Sequence, residues 1–177
     1  MKRAIWRAVL YFSIALAVGV GAFEAIQAER AAQPLPLGSA APVLRLEARG
    51  GGTYDLGERR GEVVLVSFWA SWCAPCAREM PLLRELEREY RSRGVSLVTV
   101  NLDDPDDREE QVGEFFEGEA EPPTVLWVDE PTVHAWNAHR LPTLYVVGRQ
   151  GTIAAGHTTL QSRDSLVRDL EAALARK

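Results

Sequence analysis

The sequence is poor in cysteine: it contains two, Cys73 and Cys76, among 177 residues. A framework of structural disulfides is excluded, because one bridge across so short a segment closes almost no loop and restricts the unfolded chain very little. A chain of this length with 46% hydrophobic residues can bury a core without such bridges. The pair therefore serves either as a redox-active dithiol or as half of a metal site.

Histidine is also scarce, since the chain has three, His134, His139 and His157. Thiolate and imidazole ligands suit copper and zinc, so Cys73 and Cys76 with histidine would form a copper- or zinc-binding module. However, His134 and His139 are five residues apart, which is awkward for one face of a helix, and no pair has an obvious ligand spacing. Surface or loop positions are predicted for all three histidines. A metal site is the less favoured alternative, and no cofactor other than a redox-active disulfide is predicted.

The chain has no surplus of positive charge. It carries 20 basic and 25 acidic residues, for a formal net charge of −5. Nucleic acid is therefore not expected as a partner, and the acidic body offers no basic face to anionic lipids. Residues 103–107, which include four aspartates, are interpreted as the start of a helix, with a cation site as the alternative.

Charged residues are absent from residues 8–23, and three basic residues lie within the first seven. A basic start followed by an apolar run is typical of an export signal, which predicts a location in the periplasm or on the outer face of the cytoplasmic membrane. Residues 4–23 are long enough to anchor the chain if the charge of Arg7 reaches the interface. Residues 1–28 are predicted to be a membrane anchor, with a cleaved signal peptide as the alternative.

Residues 29–42 contain three prolines, and residues 29–41 are predicted to be a linker. Residues 42–177 are predicted to be a single domain. Strands that alternate with helices, followed by a last hairpin and helix, predict an α/β sandwich around a mixed sheet. The predicted strands are residues 43–47 and 53–56, which form a short hairpin, then 63–70, 95–102, 125–129, 143–148 and 152–156. The predicted helices are residues 77–93, a helix after 103–107, 132–139 and 164–175.

Cys73 follows a buried strand and lies just before the helix predicted at residues 77–93. Unpaired backbone N–H groups and the positive end of the helix dipole stabilise a thiolate there, which predicts a lowered pKa for the Cys73 thiol. Cys76 lies one turn further and can attack a mixed disulfide on Cys73, so the pair predicts dithiol–disulfide exchange. Pro75 lacks an N–H group that the first helical turn leaves unpaired anyway. Pro81 would either kink this helix or begin a shorter one.

The stretch V-V-L-V-S-F-W-A-S-W-C-A-P-C-A-R-E-M-P, residues 63–81, resembles the TlpA/ResA/CcmG (DsbE)-like branch of membrane-anchored, extracytoplasmic thioredoxins. The W-C-x-P-C-x-x-E-x-P signature of that branch is present residue by residue. The resemblance runs from A-P-V-L-R-L to A-W-N-A-H-R-L-P-T-L-Y-V-V-G-R-Q-G-T-I and covers roughly residues 42–177. It implies a thioredoxin-like three-layer sandwich, in which helices flank a central mixed β-sheet, with an N-terminal hairpin and an N-terminal membrane segment.

The resemblance assigns roles to three residues of the motif. Cys73 is the implied nucleophile, Cys76 the resolving cysteine, and Glu79 the carboxylate that accepts the Cys76 proton. The alternative for Glu79 is a solvated acid that complements the helix dipole. Ser67 stands where cytoplasmic thioredoxins carry a buried aspartate, which leaves proton transfer to Glu79 or to water. Pro81 is given a structural role.

Five residues are implied to contact the substrate: Trp72, which covers the active-site surface, Pro75, Leu141, Pro142 and Thr143. By the resemblance, Leu141-Pro142-Thr143 is a cis-proline loop that faces the dithiol. A cis bond there would leave the neighbouring backbone free to pair with a bound peptide as an extra strand.

The predicted function is an extracytoplasmic thiol–disulfide oxidoreductase that reduces protein disulfides. The resemblance implies apocytochrome c cysteines as substrates in cytochrome c maturation and a membrane thiol carrier as electron donor. The reverse direction, an oxidant that installs disulfides, stays open because the reduction potential decides it and the sequence does not give that potential.

Overall fold

The computed structural model describes residues 19–20 and 33–176. The chain divides into one unit of residues 1–33 and a second of residues 34–177. The anchor predicted at residues 4–23 and its alternative, a cleaved signal peptide, lie outside the described residues, apart from residues 19–20. Among the residues that are described, no helix combines the length and apolar character needed to cross a membrane.

Within residues 34–176, the second unit contains seven strands and four α-helices. In chain order they are β1 (Arg45–Glu47), β2 (Thr53–Asp55), β3 (Val63–Trp69), α1 (Ala74–Tyr90), β4 (Val95–Asn101), α2 (Arg108–Phe115), β5 (Thr124–Trp127), α3 (Glu130–Ala135), β6 (Thr143–Val147), β7 (Ile153–His157) and α4 (Arg163–Ala175). Strands β1 and β2 form the predicted antiparallel hairpin. The other five form one sheet in the order β5-β4-β3-β6-β7. Because β4 runs parallel to β3 and β5 while β6 runs antiparallel to β3 and β7, the sheet is mixed as predicted.

Strand β3 is the centre of the sheet, and all seven of its residues are buried. Its side chains alternate between the two faces. Val64, Val66 and Phe68 pack against the hairpin and Trp136 on one face. Val63 and Leu65 pack against α1 and α4 on the other. Strand β3 is apolar along most of its length because both faces of the sheet are covered at this position.

Helix α1 begins at Ala74, three residues before its predicted start. The cause is local: Cys73 is the N-cap, and its sulfur accepts a hydrogen bond from the Cys76 N–H group at 3.3 Å. Pro75 therefore lies in the first turn, and Pro81 lies inside the helix. The alternative of a shorter helix that begins at Pro81 is wrong.

Helix α3 is shorter than predicted and shifted toward the N-terminus. Asp129 caps it by accepting a hydrogen bond from the Thr132 N–H group at 2.9 Å, and the helix ends at Ala135. Asn137 then takes a left-handed conformation with φ 47°, which turns the chain toward β6. Because the helix ends early, His134 lies in α3 and His139 lies in the loop that follows it.

Candidate active site

The two cysteines form a disulfide at the N-terminus of α1. They follow the C-terminal end of the central strand β3. Their Sγ atoms are 2.04 Å apart. Cys73 is 4% exposed and Cys76 is 1% exposed. Both pack with Trp69, Met80 and Phe116 in one apolar cluster. Cys73 is the more exposed residue of the two, which suits the cysteine that meets a substrate first.

Glu79 lies one turn after Cys76 on α1, so the two side chains share a face of the helix. It is 1% exposed, which excludes the alternative of a solvated acid. Its Oε1 accepts a hydrogen bond from the backbone N–H of Gln161 at 3.0 Å. Burial raises the pKa of Glu79 above its ordinary value, and the Gln161 bond and the positive charge of His157 offset part of that rise.

The loop before β6 contributes Leu141 to the apolar surroundings of the cysteines. The Leu141–Pro142 peptide bond is cis. Leu141 packs against the cluster that contains Cys73 and Cys76. Pro142 and Thr143 are buried. The Thr143 hydroxyl donates to the Arg140 carbonyl at 2.7 Å, so it supports the loop and does not point at solvent.

Trp72 is the exposed edge of the site, with 70% of its surface accessible. It forms one wall of a cleft of about 700 Å³ whose other walls include Val133, His134 and His139. Leu102 and Val128 add apolar surface to the same cleft. Pro75, in the first turn of α1, is half-buried.

The histidines only partly follow the prediction of surface or loop positions. His134 and His139 are exposed, but their rings contact at a centroid distance of 4.8 Å in spite of the unfavourable spacing, because α3 ends between them. His157 is at the end of β7, half-buried, with Nε2 2.8 Å from Asp169 Oδ2. Within residues 33–176, no group of three or more His, Cys, Asp or Glu residues could hold a metal ion.

The sequence interpretation missed a buried carboxylate, Asp103, which is 4% exposed although it was assigned to the acidic start of a helix. Its Oδ1 accepts a hydrogen bond from the Ser71 N–H at 2.9 Å, and its Oδ2 accepts one from Asn101 Nδ2 at 2.8 Å. A signal existed in the sequence. Parallel strands end at the same edge of a sheet, so a polar residue directly after β4 lies beside the turn that follows β3.

A buried Cys-x-x-Cys disulfide at a helix N-terminus, a buried carboxylate one turn further on and a cis-proline loop that packs against the same apolar cluster define a thiol–disulfide oxidoreductase of thioredoxin-like fold. Comparison with known proteins gives the family. Residues 36–174 match the model of the Redoxin family, and the chain belongs to that family. Within it, the chain is of the TlpA/ResA/CcmG-like type.

Several relatives and solved structures are similar over most of their length. The thiol-disulfide oxidoreductase ResA of Geobacillus kaustophilus is 29% identical over 170 residues, 96% of this chain and 95% of that protein. The thioredoxin-like protein YneN of Bacillus subtilis is 30% identical over 76% of this chain and 78% of its own length. The crystal structure of a thiol:disulfide interchange protein DsbE from Chlorobium tepidum matches with a TM-score of 0.71 and 27% identity, over 80% of this chain and 99% of that one.

Proposed function

We propose that this protein is an extracytoplasmic reductant of protein disulfides that works through the Cys73–Cys76 dithiol. The observation that carries the proposal is Glu79, a buried carboxylate with a raised pKa on the same face of α1 as the buried sulfur. A carboxylate with a pKa nearer to neutrality is a better acceptor for a thiol proton than an ordinary glutamate.

In the first step the Cys73 thiolate attacks one sulfur of a substrate disulfide. A bond forms between Cys73 and that sulfur, the substrate disulfide breaks, and the departing sulfur leaves as a thiolate that takes a proton from water. The cis-proline loop at Leu141–Pro142 and the exposed face of Trp72 are the surfaces against which the substrate chain lies.

In the second step Cys76 gives its proton to Glu79 and attacks Cys73 Sγ. The Cys73–Cys76 bond forms, the mixed disulfide breaks, and the second substrate sulfur leaves as a thiolate. Two electrons have then passed from the protein to the substrate. A dithiol donor restores the protein by the same exchange run in the opposite direction.

Burial of the site favours the reducing direction. A strong oxidant of this class stabilises its reduced form as a thiolate. Here Cys73 is 4% exposed, and desolvation destabilises a thiolate. The helix N-terminus opposes that effect through the Cys76 N–H group, 3.3 Å from the sulfur. The opposite direction, an oxidant that installs disulfides, is the second candidate.

The proposed location and partners follow the family resemblance. Residues 4–23 are proposed to anchor the domain on the outer face of the cytoplasmic membrane, with apocytochrome c cysteines as substrate and a membrane thiol carrier as electron donor. The names of the relatives, thiol-disulfide oxidoreductase ResA and thiol:disulfide interchange protein DsbE, support protein thiols and disulfides as the broader class of substrate. No cofactor other than the redox-active disulfide is proposed.

Two measurements test the proposal, and a metal analysis tests the metal-binding alternative. The first is the reduction potential of the Cys73–Cys76 couple, measured from its equilibrium with glutathione. A potential of about −120 mV is that of a strong oxidant and would exclude the proposed reducing function. The second is capture of a mixed disulfide on Cys73 in the Cys76→Ala variant, with Cys73→Ala as the matched control. Capture of an apocytochrome by the first variant alone supports the proposed substrate. Stoichiometric copper or zinc in protein purified without oxygen would favour the metal-binding alternative.

A further inference from the structure

Asp103 lies under the turn that connects β3 to the active-site helix. The Ser71 N–H contacts both carboxylate oxygens, at 2.9 Å and 3.1 Å, and Asn101 Nδ2 lies 2.8 Å from Oδ2. The Ser71 hydroxyl, which has one proton to share, lies 3.1 Å from Asp103 Oδ1 and 2.8 Å from Gln111 Oε1. The carboxylate therefore links the turn after β3 to the end of β4, and the Ser71 hydroxyl links the same turn to Gln111 of helix α2.

The partners that the structure gives Asp103 are neutral groups. An N–H group, an amide and a hydroxyl satisfy the lone pairs of a carboxylate, but they do not cancel its charge. Asp103 is 4% exposed, so water screens that charge poorly. A negative charge thus stays fixed on this side of the active site.

The turn held by Asp103 ends at the nucleophile. Ser71 is two residues before Cys73, and the Cys73 N–H donates to the Ala70 carbonyl at 3.1 Å, which makes the turn tight. The Leu102 N–H donates to the Trp69 carbonyl at 2.8 Å and fixes the start of the turn against β4. Asp103 is therefore connected to Cys73 through two residues of a hydrogen-bonded turn.

We propose that Asp103 is a positioning residue that holds the Ser71–Cys73 turn and, through its buried negative charge, disfavours the Cys73 thiolate and keeps the couple reducing. The charge opposes the stabilisation that the N-terminus of α1 gives to the same thiolate. This inference deepens the proposed function and rests on it, because it names a residue whose charge shifts the couple in the reducing direction.

Other titratable groups face the site from each neighbouring element. Glu79 is on α1. Arg108 is on α2 with its guanidinium 4.6 Å from the Trp127 ring centre, and it lines the cleft beside Trp72 together with Asp103. The other titratable groups that line this cleft are Asp104, Glu130, His134 and His139. They are exposed, so solvent and salt screen them more than Asp103.

The experiment compares the full-length protein with Asp103→Asn, which removes the charge and keeps the size. The Cys73 pKa is measured from thiolate absorbance in the reduced protein. We expect the acid dissociation constant of Cys73 to rise about fivefold or more, the size expected for one partly buried unit charge nearby. At a pH above the Cys73 pKa, the equilibrium constant with glutathione should move the same way, toward a more oxidising couple by about 20 mV.

Two matched variants distinguish the effect of the Asp103 charge from the effect of a less firmly held turn. Asp104→Asn makes the same change in net charge at the next, exposed position, and Ser71→Ala loosens the turn while the Asp103 charge stays. Both should leave the Cys73 dissociation constant within about twofold of the wild type. Asp103→Ser, which removes the same charge and retains an acceptor for the Ser71 N–H, serves if Asp103→Asn does not fold.

An unchanged Cys73 dissociation constant in a folded Asp103 variant overturns the inference, as does an equal shift in Ser71→Ala. The wild-type potential tests the proposed function, whereas the difference between variant and wild type tests the role of Asp103. Failure of one is therefore distinguishable from failure of the other.

Discussion

The backbone N–H of Gln161 donates a 3.0 Å hydrogen bond to Glu79 Oε1, across a sequence separation of 82 residues. This bond joins the loop after β7 to the helix that carries both cysteines. It holds a buried carboxylate in place without neutralising it, since an N–H group carries no net charge. The energetic cost of burying Glu79 therefore remains in the folded protein and can be measured.

Replacing Glu79 by glutamine should stabilise the fold at neutral pH. Burial raises the pKa of Glu79 in the folded protein above its value of 4.5 in the unfolded chain. The folded state thus binds more protons between those two pKa values, and stability falls as pH rises through that window. Glu79→Gln should melt above the wild type at pH 7, and the difference should shrink as pH falls toward 4.5. Glu110→Gln, an exposed change of the same charge, is the control.

Glu79→Gln should also slow the attack of Cys76 on a mixed disulfide. Without a carboxylate to accept the Cys76 proton, resolution of a mixed disulfide on Cys73 should slow by about tenfold or more at neutral pH. Stopped-flow decay of a mixed disulfide with a chromogenic thiol measures this rate. Equal rates in Glu79→Gln and the wild type would assign the proton to water.

Removing the imidazole of His157 should raise the pKa of Glu79 further. The positive charge of His157 lowers the pKa of Glu79 in the native protein, against the larger effect of burial. In His157→Asn the pH range over which stability falls should therefore extend to higher pH. Thermal melts from pH 4 to pH 9 measure the range, and His139→Asn, in the cleft beside Trp72, is the matched variant. A range that does not move, or that moves equally in both variants, would contradict this role.

Replacing Trp72 by alanine should weaken substrate binding and leave the fold intact. The side chain is 70% exposed beside the disulfide, so its loss removes little buried area. The free energy of unfolding should change by no more than about 0.5 kcal/mol. KM for a protein disulfide should rise several-fold while the rate with a small disulfide stays near that of the wild type. Equal losses with both substrates would place Trp72 in the chemistry and not in binding.

Removing the hydroxyl of Tyr145 should destabilise the domain measurably. The hydroxyl donates to the Trp136 carbonyl at 2.7 Å and accepts from the Leu35 N–H at 3.2 Å, and the side chain is fully buried. Tyr145→Phe leaves the carbonyl and the N–H without this partner, which should cost about 1–3 kcal/mol of unfolding free energy in urea. A smaller loss would show that water replaces the hydroxyl.

The strand and helix pattern was predictable because it depends on local periodicity. Strand β3 is a run of apolar residues that suits no exposed position, and the heptad-like spacing of Leu83, Leu86 and Tyr90 suits one buried helix face. The ends of α1 and α3 were predicted less well. The start of each helix depends on whether the side chain of Cys73 or Asp129 caps it by accepting a hydrogen bond from a backbone N–H group. Amino-acid composition does not specify this.

The sequence by itself determined the reactive centre, because two cysteines three residues apart between a strand and a helix need no distant contact to form one bond. Only the tertiary structure decided the surroundings of that bond. Glu79 is buried because a loop 82 residues away covers it, and Asp103 is buried because β4 ends beside the turn after β3. Acidic residues near helix starts are usually solvated, so local rules favour the wrong environment for Asp103 and leave that of Glu79 undecided. Packing between distant segments changes the solvation of a carboxylate, and solvation determines its charge and its chemistry.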